Sequence, residues 1–562
     1  MKNTIPLSAV LSTLFLGLFF TAGLFAQNVD FELKERPSDP YIYVPRHLQP
    51  TSPAYGFSGD NIICVQVNVD GNGNNILGDA ANEPSIAIDP NDPGRMAIGW
   101  RQFDSINSNF RQAGFGYTTD GGATWTFPGV IEPGVFRSDP VLDFDETGRF
   151  YYNSLRVVSG ELQCDIFRST GDGTWDEGVF AHGGDKQWMA IDRTGGPGNG
   201  NIYTFWDSFF SECDGDFTRS TDGGDSYETC SITPSLPHWG TMDIGVDGAL
   251  YATGNGSKFL KSTNPSNGAQ MLQWDFTTIA EMGGPLIAFE DSPNPGGLLG
   301  QQWVATDHSD GPNRGNIYML ASVYTFSDVL DVHFIRSTDG GLTWSAPLRI
   351  NDDLSADNYQ WFGTMSVAPN GRIDVVWLDT RDNPGTVLSS LYYAFSTDGG
   401  LTWSDNLRLS EAFDPHVGWP NQNKMGDYFH MVSTDEGAHL AWAATFNGEQ
   451  DVYYSFISPE PVTATKSVEN EAASLSQNLP NPFSARTSIP YSLKKSGLVQ
   501  LEIFDLNGKK ITSLVNQNLP AGKYTANWDG KGPRGKALPP GIYYYSLRVD
   551  GALFFTKKMA II

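Results

Sequence analysis

The chain has 562 residues, with 36 Lys and Arg against 64 Asp and Glu, a net charge of −28. That balance argues against sequence-independent nucleic-acid binding, which needs clustered cations, and against docking on anionic membranes. With 61 Gly and 13% aromatic residues, the composition favours many short strands and tight turns over long amphipathic helices.

In chain order, residues 1–26 read as an export signal. Lys2 opens it, an apolar stretch runs through Leu7, Val10, Leu14, Phe15, Leu16, Leu18, Phe19 and Phe20, and Ala26 supplies a small residue before Gln27. No Cys lies near that point, so no lipid anchor is expected, and no later segment is apolar for long enough to span a bilayer in the mature chain. Residues 27–60 are Pro-rich and polar, as in Arg36-Pro-Ser-Asp-Pro40, and read as an irregular leader. Asn61-Ile-Ile-Cys-Val-Gln-Val-Asn-Val69 then reads as a strand.

From there an eight-residue phrase recurs: Thr118-Thr-Asp-Gly-Gly-Ala-Thr-Trp125, Ser220-Thr-Asp-Gly-Gly-Asp-Ser-Tyr227, Ser337-Thr-Asp-Gly-Gly-Leu-Thr-Trp344 and Ser396-Thr-Asp-Gly-Gly-Leu-Thr-Trp403. Ser169-Thr-Gly-Asp-Gly-Thr-Trp175 is a shortened copy, and Ser262–Gly268 with Trp274 a decayed one. Asp and paired Gly suit a tight turn, and the terminal aromatic can fold back over it. Each phrase therefore predicts a hairpin turn stapled by its own side chains, with no chemistry of its own. In phase with it runs a second repeat of apolar strand, polar turn and apolar strand, starting near Pro84, Asp139, Gln187, His238, Gln302, Gln360 and Asp427. The spacing is about 50 to 65 residues, which suits blades of a propeller. Seven hairpins predict seven blades over residues 61–458. The last copy, Asp451–Ile457, lacks a fourth strand, and 61–69 is placed to supply it and close the ring. A six-bladed ring, with one hairpin as an insertion, is the alternative.

Residues 459–476 have linker composition. Residues 477–562 return to period-two alternation between Gly/Pro turns, as in Thr487–Leu493, Val499–Gly508 and Leu538–Leu547, which predicts a small β-sandwich. The fold class expected is thus all-β: a propeller followed by an immunoglobulin-like sandwich. Of Cys64, Cys164, Cys213 and Cys230, the last two flank one hairpin and are the pair expected to bond. No Cys-x-x-Cys occurs, so no structural zinc site is expected.

The recurring phrase resembles the Asp box of the bacterial neuraminidase repeat, which marks β-propellers of the sialidase superfamily and several non-enzymatic relatives. Residues 477–562, from Gln477-Asn-Leu-Pro-Asn-Pro-Phe483 to Lys557-Lys-Met-Ala-Ile-Ile562, resemble the type A C-terminal sorting domain of the type IX secretion system. That resemblance implies export through the periplasm of a Gram-negative bacterium to the cell surface or medium, with the secretion machinery as a partner.

Ligands of propellers meet the mouth of the central channel, where the innermost strands begin. Those starts hold Glu83, Asp139, Asp185, Lys186, Gln187, Trp188, His238, Trp239, Gln302, Trp303, Gln360, Trp361, Asp427 and Tyr428, and neighbouring loops add Arg101, Asp104, Arg156, Asp207, Asp379, Arg381 and Asp382. Trp188, Trp239, Trp303 and Trp361 are candidates to stack on sugar rings, each against the simpler expectation of packing between blades. The partner class implied is an extracellular glycan or glycoprotein. The sialidase resemblance implies a Tyr nucleophile, an acid/base Asp and three Arg that clamp a carboxylate bidentately. The residues that match by position are Tyr428 with Asp427, Asp104, and Arg101, Arg156 and Arg381. The family's Arg-Ile-Pro is absent, since Asn351 follows Arg349-Ile350. If the chain is an enzyme, the resemblance makes it an exo-sialidase-type glycoside hydrolase; Asp139 with Asp185 or Asp427 is a carboxylate pair for other glycan hydrolysis. A non-catalytic propeller binding protein or polysaccharide is the alternative. No cofactor or metal is assigned: Asp70-Gly-Asn-Gly-Asn74 and Asn351-Asp352-Asp353 offer oxygens of the kind calcium takes, yet neither follows a full calcium-loop spacing.

Overall fold

The structure, a computed structural model, describes residues 39–169, 173–234, 238–287, 291–460, 473–505, 508–532, 535–549 and 552–562. The export signal, residues 27–38 of the leader and residues 461–472 of the linker lie outside them.

Seven antiparallel sheets follow one another from residue 80 to 457. Blade 1 is Ala80–Ile88, Met96–Phe103, Gln112–Thr118 and Thr126–Ile131, and blade 2 is Ser138–Phe144, Phe150–Val158, Glu161–Arg168 and Val179–Phe180. Blade 3 keeps three strands, Asp185–Ile191, Ile202–Asp207 and Phe217–Ser220, with Ser231 bridging Phe217 where a fourth would lie. Blades 4, 5 and 6 begin at Met242–Ile244, Trp303–Thr306 and Gln360–Val367. Blade 7 is His430–Ser433, Ala438–Ala444 and Asp451–Ile457, completed by Ile62–Gln66 from the other end of the propeller. Ring closure thus pairs Cys64 with Ser455 and leaves no open strand at that seam. All seven hairpins form blades, which excludes the six-bladed alternative.

Part of the expected irregular leader is ordered into sheet: Thr51–Pro53 pairs with Asn74–Ile76, and Gly56–Ser58 extends blade 7. Polar side chains drive this. Gln66 accepts from the Tyr55 amide and donates to Asn75, which in turn donates to Ser52.

Blade 1 shows how the faces are laid out. Ala80 pairs with Phe103 at the mouth, and Ile88 with Met96, itself opposite Thr118, at the far end. The recurring turns join third to fourth strands, so they sit on the face away from the mouth. Their chemistry repeats: the Asp120 carboxylate accepts from Thr118 Oγ1 at 2.7 Å, Thr124 N at 2.9 Å and Thr124 Oγ1 at 2.7 Å. Asp222, Asp339 and Asp398 make the same three bonds. The hydroxyl and amide of Thr343 hold Asp339 down to about 2. The aromatic that ends the turn reaches the preceding blade: Trp125 meets Tyr454, Trp274 meets Phe217, Trp344 meets Phe259 and Trp403 meets Phe334, at 5.0–5.6 Å between rings. These carboxylates are consumed by their own turns, and the rings join neighbouring blades.

The C-terminal unit is a two-sheet sandwich. One sheet holds Ala473–Leu475, Thr487–Leu493 and Gly522–Trp528; the other holds Lys510–Leu519, Gly497–Phe504, Gly541–Val549 and Ala552–Ile561. Alternate residues of Thr487–Leu493 are buried, as a sheet with one wet face requires. The sandwich docks on the propeller beside blade 7. Tyr544 OH donates to Phe446 O at 3.1 Å, Arg548 to Asn74 Oδ1 at 2.8 Å, and Lys558 Nζ lies 2.7 Å from Glu411.

Candidate functional site

The inner strands do not enter the ring straight. Glu83, Asp139, Lys186, Trp239 and Phe362 occupy equivalent positions at or just before the start of five inner strands, and each is left-handed, with φ of 47–57°. In blades 1, 3 and 6 the strand pairing shifts register at this residue. A non-Gly residue held there costs about 1–3 kcal/mol, and such strain gathers where a site over-determines it.

In blades 1 to 3 this position is charged; Lys186 meets Asp139, and the charges of Asp139 and Asp427 bear on Glu83. Lys186 Nζ lies 2.7 Å from Asp427 Oδ2, 3.3 Å from Asp185 Oδ1 and 3.7 Å from Asp139 Oδ2. Lys424 Nζ lies 2.9 Å from the same Asp427 oxygen, while Asp427 Oδ1 accepts from the Leu298 amide. Arg101 Nε lies 2.9 Å from Glu83 Oε2 and from Asn82 Oδ1. Asp139 Oδ1 accepts from Ser138 Oγ, which accepts from Arg111 Nε. All these charged groups are buried. Burial raises the Glu83 carboxyl; Arg101 pulls it back, and Asp139 and Asp427 push it further up. Such a network costs desolvation that apolar packing would avoid, so stability alone does not account for it.

Below this layer the axis is filled by rings. Trp188 stands edge-on to Trp303, Tyr428 and His430 at 5.1, 5.6 and 5.4 Å, and Trp303 stacks on His430. The Tyr428 hydroxyl donates to Pro140 O at 2.7 Å and is buried at 1% exposure. Burial raises its pKa well above the ordinary value, with Glu83 and Asp139 adding to the effect.

Of the residues singled out from the sequence, Glu83, Asp139, Asp185, Lys186, Gln187, Asp427, Arg101, Tyr428, Trp188 and Trp303 come together at the axis. Asp104, Arg156, Arg381 and Trp361 do not join them. Asp104 binds Gln112 on the outer side of blade 1. Arg156 shares Asp165 with Arg137 in blade 2. Arg381 binds Asp379 and Asp352 at 2.8 and 2.5 Å and lies over the Tyr392 ring. Trp361 is wholly buried, donating to Ser389 and packed on Phe362. Trp239 alone among the four tryptophans is only half-buried. It stands beside His238, whose Nδ1 is 3.2 Å from Asp207 Oδ2. Although burial raises the Asp207 carboxyl, the bond to His238 and the charges of His238 and Lys186 bring it below its usual range. Asp207, paired with Asp185 at the start of blade 3, thus stands between the edge of the buried cluster and His238, whose side chain is 33% exposed.

Sequence reasoning missed Lys424, Arg111 and Arg137; no repeat position marks them, since each lies on a loop or strand end between blades. The Asp70 cluster folds on itself, its carboxylate accepting from the Asn72 and Asn74 amides, and Asp352 and Asp353 face Arg381.

Residues 484–552 match the FlgD Ig-like domain family. No curated protein matches the chain. Among solved structures, it is similar to a fungal alcohol oxidase of the AA5 family in complex with copper, at 12% identity and a TM-score of 0.45, over 90% of this chain and 99% of that one. It is similar to the Hadza microbial sialidase Hz136, at 14% identity and a TM-score of 0.35, over 67% and 66%. It is also similar to PorZ, a type IX secretion component of Porphyromonas gingivalis, at 13% identity and a TM-score of 0.30, over 91% and 74%. At these identities the likeness is one of fold. Among the described residues no helix is long and apolar enough to cross a membrane.

Proposed function

We propose that this chain is an exported propeller that recognises an extracellular glycan at the mouth of its ring, around Trp239, His238 and Asp207, without hydrolysing it. The observation that carries the reading is a contrast. The residues a sialidase mechanism would use are spent on internal bonds: Tyr428 on Pro140 O, Arg101 on Glu83, Arg381 on its aspartates. Trp239, packed against the core between blades 4 and 5, is only partly buried and stands beside a polar His–Asp pair. An apolar face next to hydrogen-bonding groups is what a pyranose ring with its hydroxyls needs. The recurring turns then serve to join blades.

The full chain screened against a glycan panel that includes sialosides tests this. Binding without release of sugar is expected. Turnover that disappears in Tyr428→Phe would overturn the reading in favour of the exo-sialidase mechanism, with Tyr428, Asp427, Asp104 and Asp139 in its catalytic roles. For residues 477–562 the proposed function is sorting through the type IX machinery. A chain truncated before Gln477 is expected to stay in the periplasm, and its normal secretion would refute that assignment.

A further inference from the structure

On the mouth side of blades 2 and 3, outside the buried axis, three segments of the chain converge on one small polar cluster. His182 lies in the connection from Val179–Phe180 of blade 2 to Asp185–Ile191 of blade 3. Glu212 and Cys213 lie in the loop between Ile202–Asp207 and Phe217–Ser220, and Cys230 follows the recurring turn of blade 3. Cys213 and Cys230 are bonded to each other, with Cα atoms 6.7 Å apart. His182 Nδ1 is 2.6 Å from Glu212 Oε1. One potential ligand atom from each of the four residues lies within 4.8 Å of the other three, and all four residues are half-buried.

Each ligand is anchored independently. The Glu212 amide donates to Leu162 O and the Leu162 amide to Phe210 O, fixing the loop on blade 2. The Ala181 amide donates to Cys164 O beside His182, which is itself left-handed at φ 55°. The Ser231 amide donates to Phe217 O, which holds the chain next to Cys230. A disulfide alone needs neither an imidazole nor a carboxylate beside it. Two sulfurs, one imidazole nitrogen and one carboxylate oxygen are the mixed donor set that tetrahedral zinc takes, with bonds of about 2.0–2.3 Å.

We propose that, with the Cys213–Cys230 bond reduced, His182, Glu212, Cys213 and Cys230 form a binding site for zinc or another thiophilic divalent cation. The balance is complete. A dithiol gives two electrons and two protons to the disulfide and leaves as its own cyclic disulfide, producing two thiols. The cation then displaces both thiol protons to solvent and is held by two thiolates, the Glu212 carboxylate and neutral His182. The site is therefore exclusive with the disulfide: the dithiol form can carry metal, and re-forming the bond by passing its two electrons to an external disulfide, which leaves as two thiols, expels it.

Cobalt(II) added to the full chain tests this, with the disulfide left intact or opened by a phosphine, which leaves as its oxide. The reduced chain is expected to show the visible bands of tetrahedral cobalt and thiolate-to-cobalt charge transfer, both removed by zinc. The oxidised chain is expected to show neither. Glu212→Gln and His182→Ala, which leave both sulfurs in place, should each weaken zinc by at least ~10-fold against a chromophoric chelator. Cys64→Ala, a buried thiol elsewhere, should change nothing. The proposal fails if reduced wild type gives no thiolate charge transfer, if oxidised protein binds equally, or if Cys213→Ser, with one of the two thiolates removed, keeps the charge-transfer band at full intensity.

Discussion

The turn Ser337–Trp344 offers the sharpest test of how the blades hold together. Trp344 is half-buried and meets Phe259 of the preceding blade edge-on at 5.0 Å. A fully buried Trp removes roughly 200 Å² from water; half of that at about 25 cal/mol per Å² is about 2.5 kcal/mol. The edge-on pair adds about 1 kcal/mol. Trp344→Ala should therefore cost about 3 kcal/mol, and a double-mutant cycle with Phe259→Leu should return a coupling of about 1 kcal/mol. Asp339→Ala loses three bonds made by an exposed acceptor, which sets its cost lower, at about 1–2 kcal/mol. Calorimetry of the full chain reads this as a fall in Tm of about 2 °C per kcal/mol for a domain of this size. If Trp344→Ala melts with wild type, or if its cost is unchanged when Phe259 is already Leu, the turns do not join the blades.

Ring closure predicts that Val65→Pro, in the strand between Gly56–Ser58 and Asp451–Ile457, costs about 3 kcal/mol or more and lowers the melting temperature of the propeller. Arg101→Met strips Glu83 of its cation at full burial and should cost about 3–5 kcal/mol by chemical denaturation. Asp451 is buried, and burial together with Glu449 raises its carboxyl to about 8. Unfolded, it ionises near ~4, so between those values the folded chain binds more protons. Its contribution to stability is complete below ~4 and is lost as pH rises to about 8. Melts across that range should show a falling slope that Asp451→Asn flattens; an unchanged slope would mean Asp451 is ionised in the fold.

Much of the architecture was legible because it is written in local terms. Period-two runs such as Asp451–Ile457 and turns such as Ser396–Trp403 set each hairpin and its phase, and the missing fourth strand of the last blade pointed to 61–69, of which Ile62–Gln66 pairs. Pairing across the ring was readable only there, where one strand was short. The site was less legible. Spacing placed Asp139, Asp427 and Tyr428 at the starts of inner strands, but which of them meet depends on the left-handed entry at Glu83, Asp139 and Lys186. No residue type marks such a bulge when the position is not Gly. The order in Thr51–Ser58 escaped because it depends on Gln66 and Asn75 reaching back to it.

Titration of a bound glycan from the panel into wild type, Trp239→Ala and Trp403→Ala, followed by calorimetry, tests the central claim most directly. Trp239 lies at the mouth and Trp403 on the opposite face, against Phe334. Loss of a stacked ring of this kind is worth about 1–3 kcal/mol, so Trp239→Ala should weaken binding roughly 10-fold or more while Trp403→Ala binds as wild type. Equal affinity in wild type and Trp239→Ala would contradict recognition at the mouth.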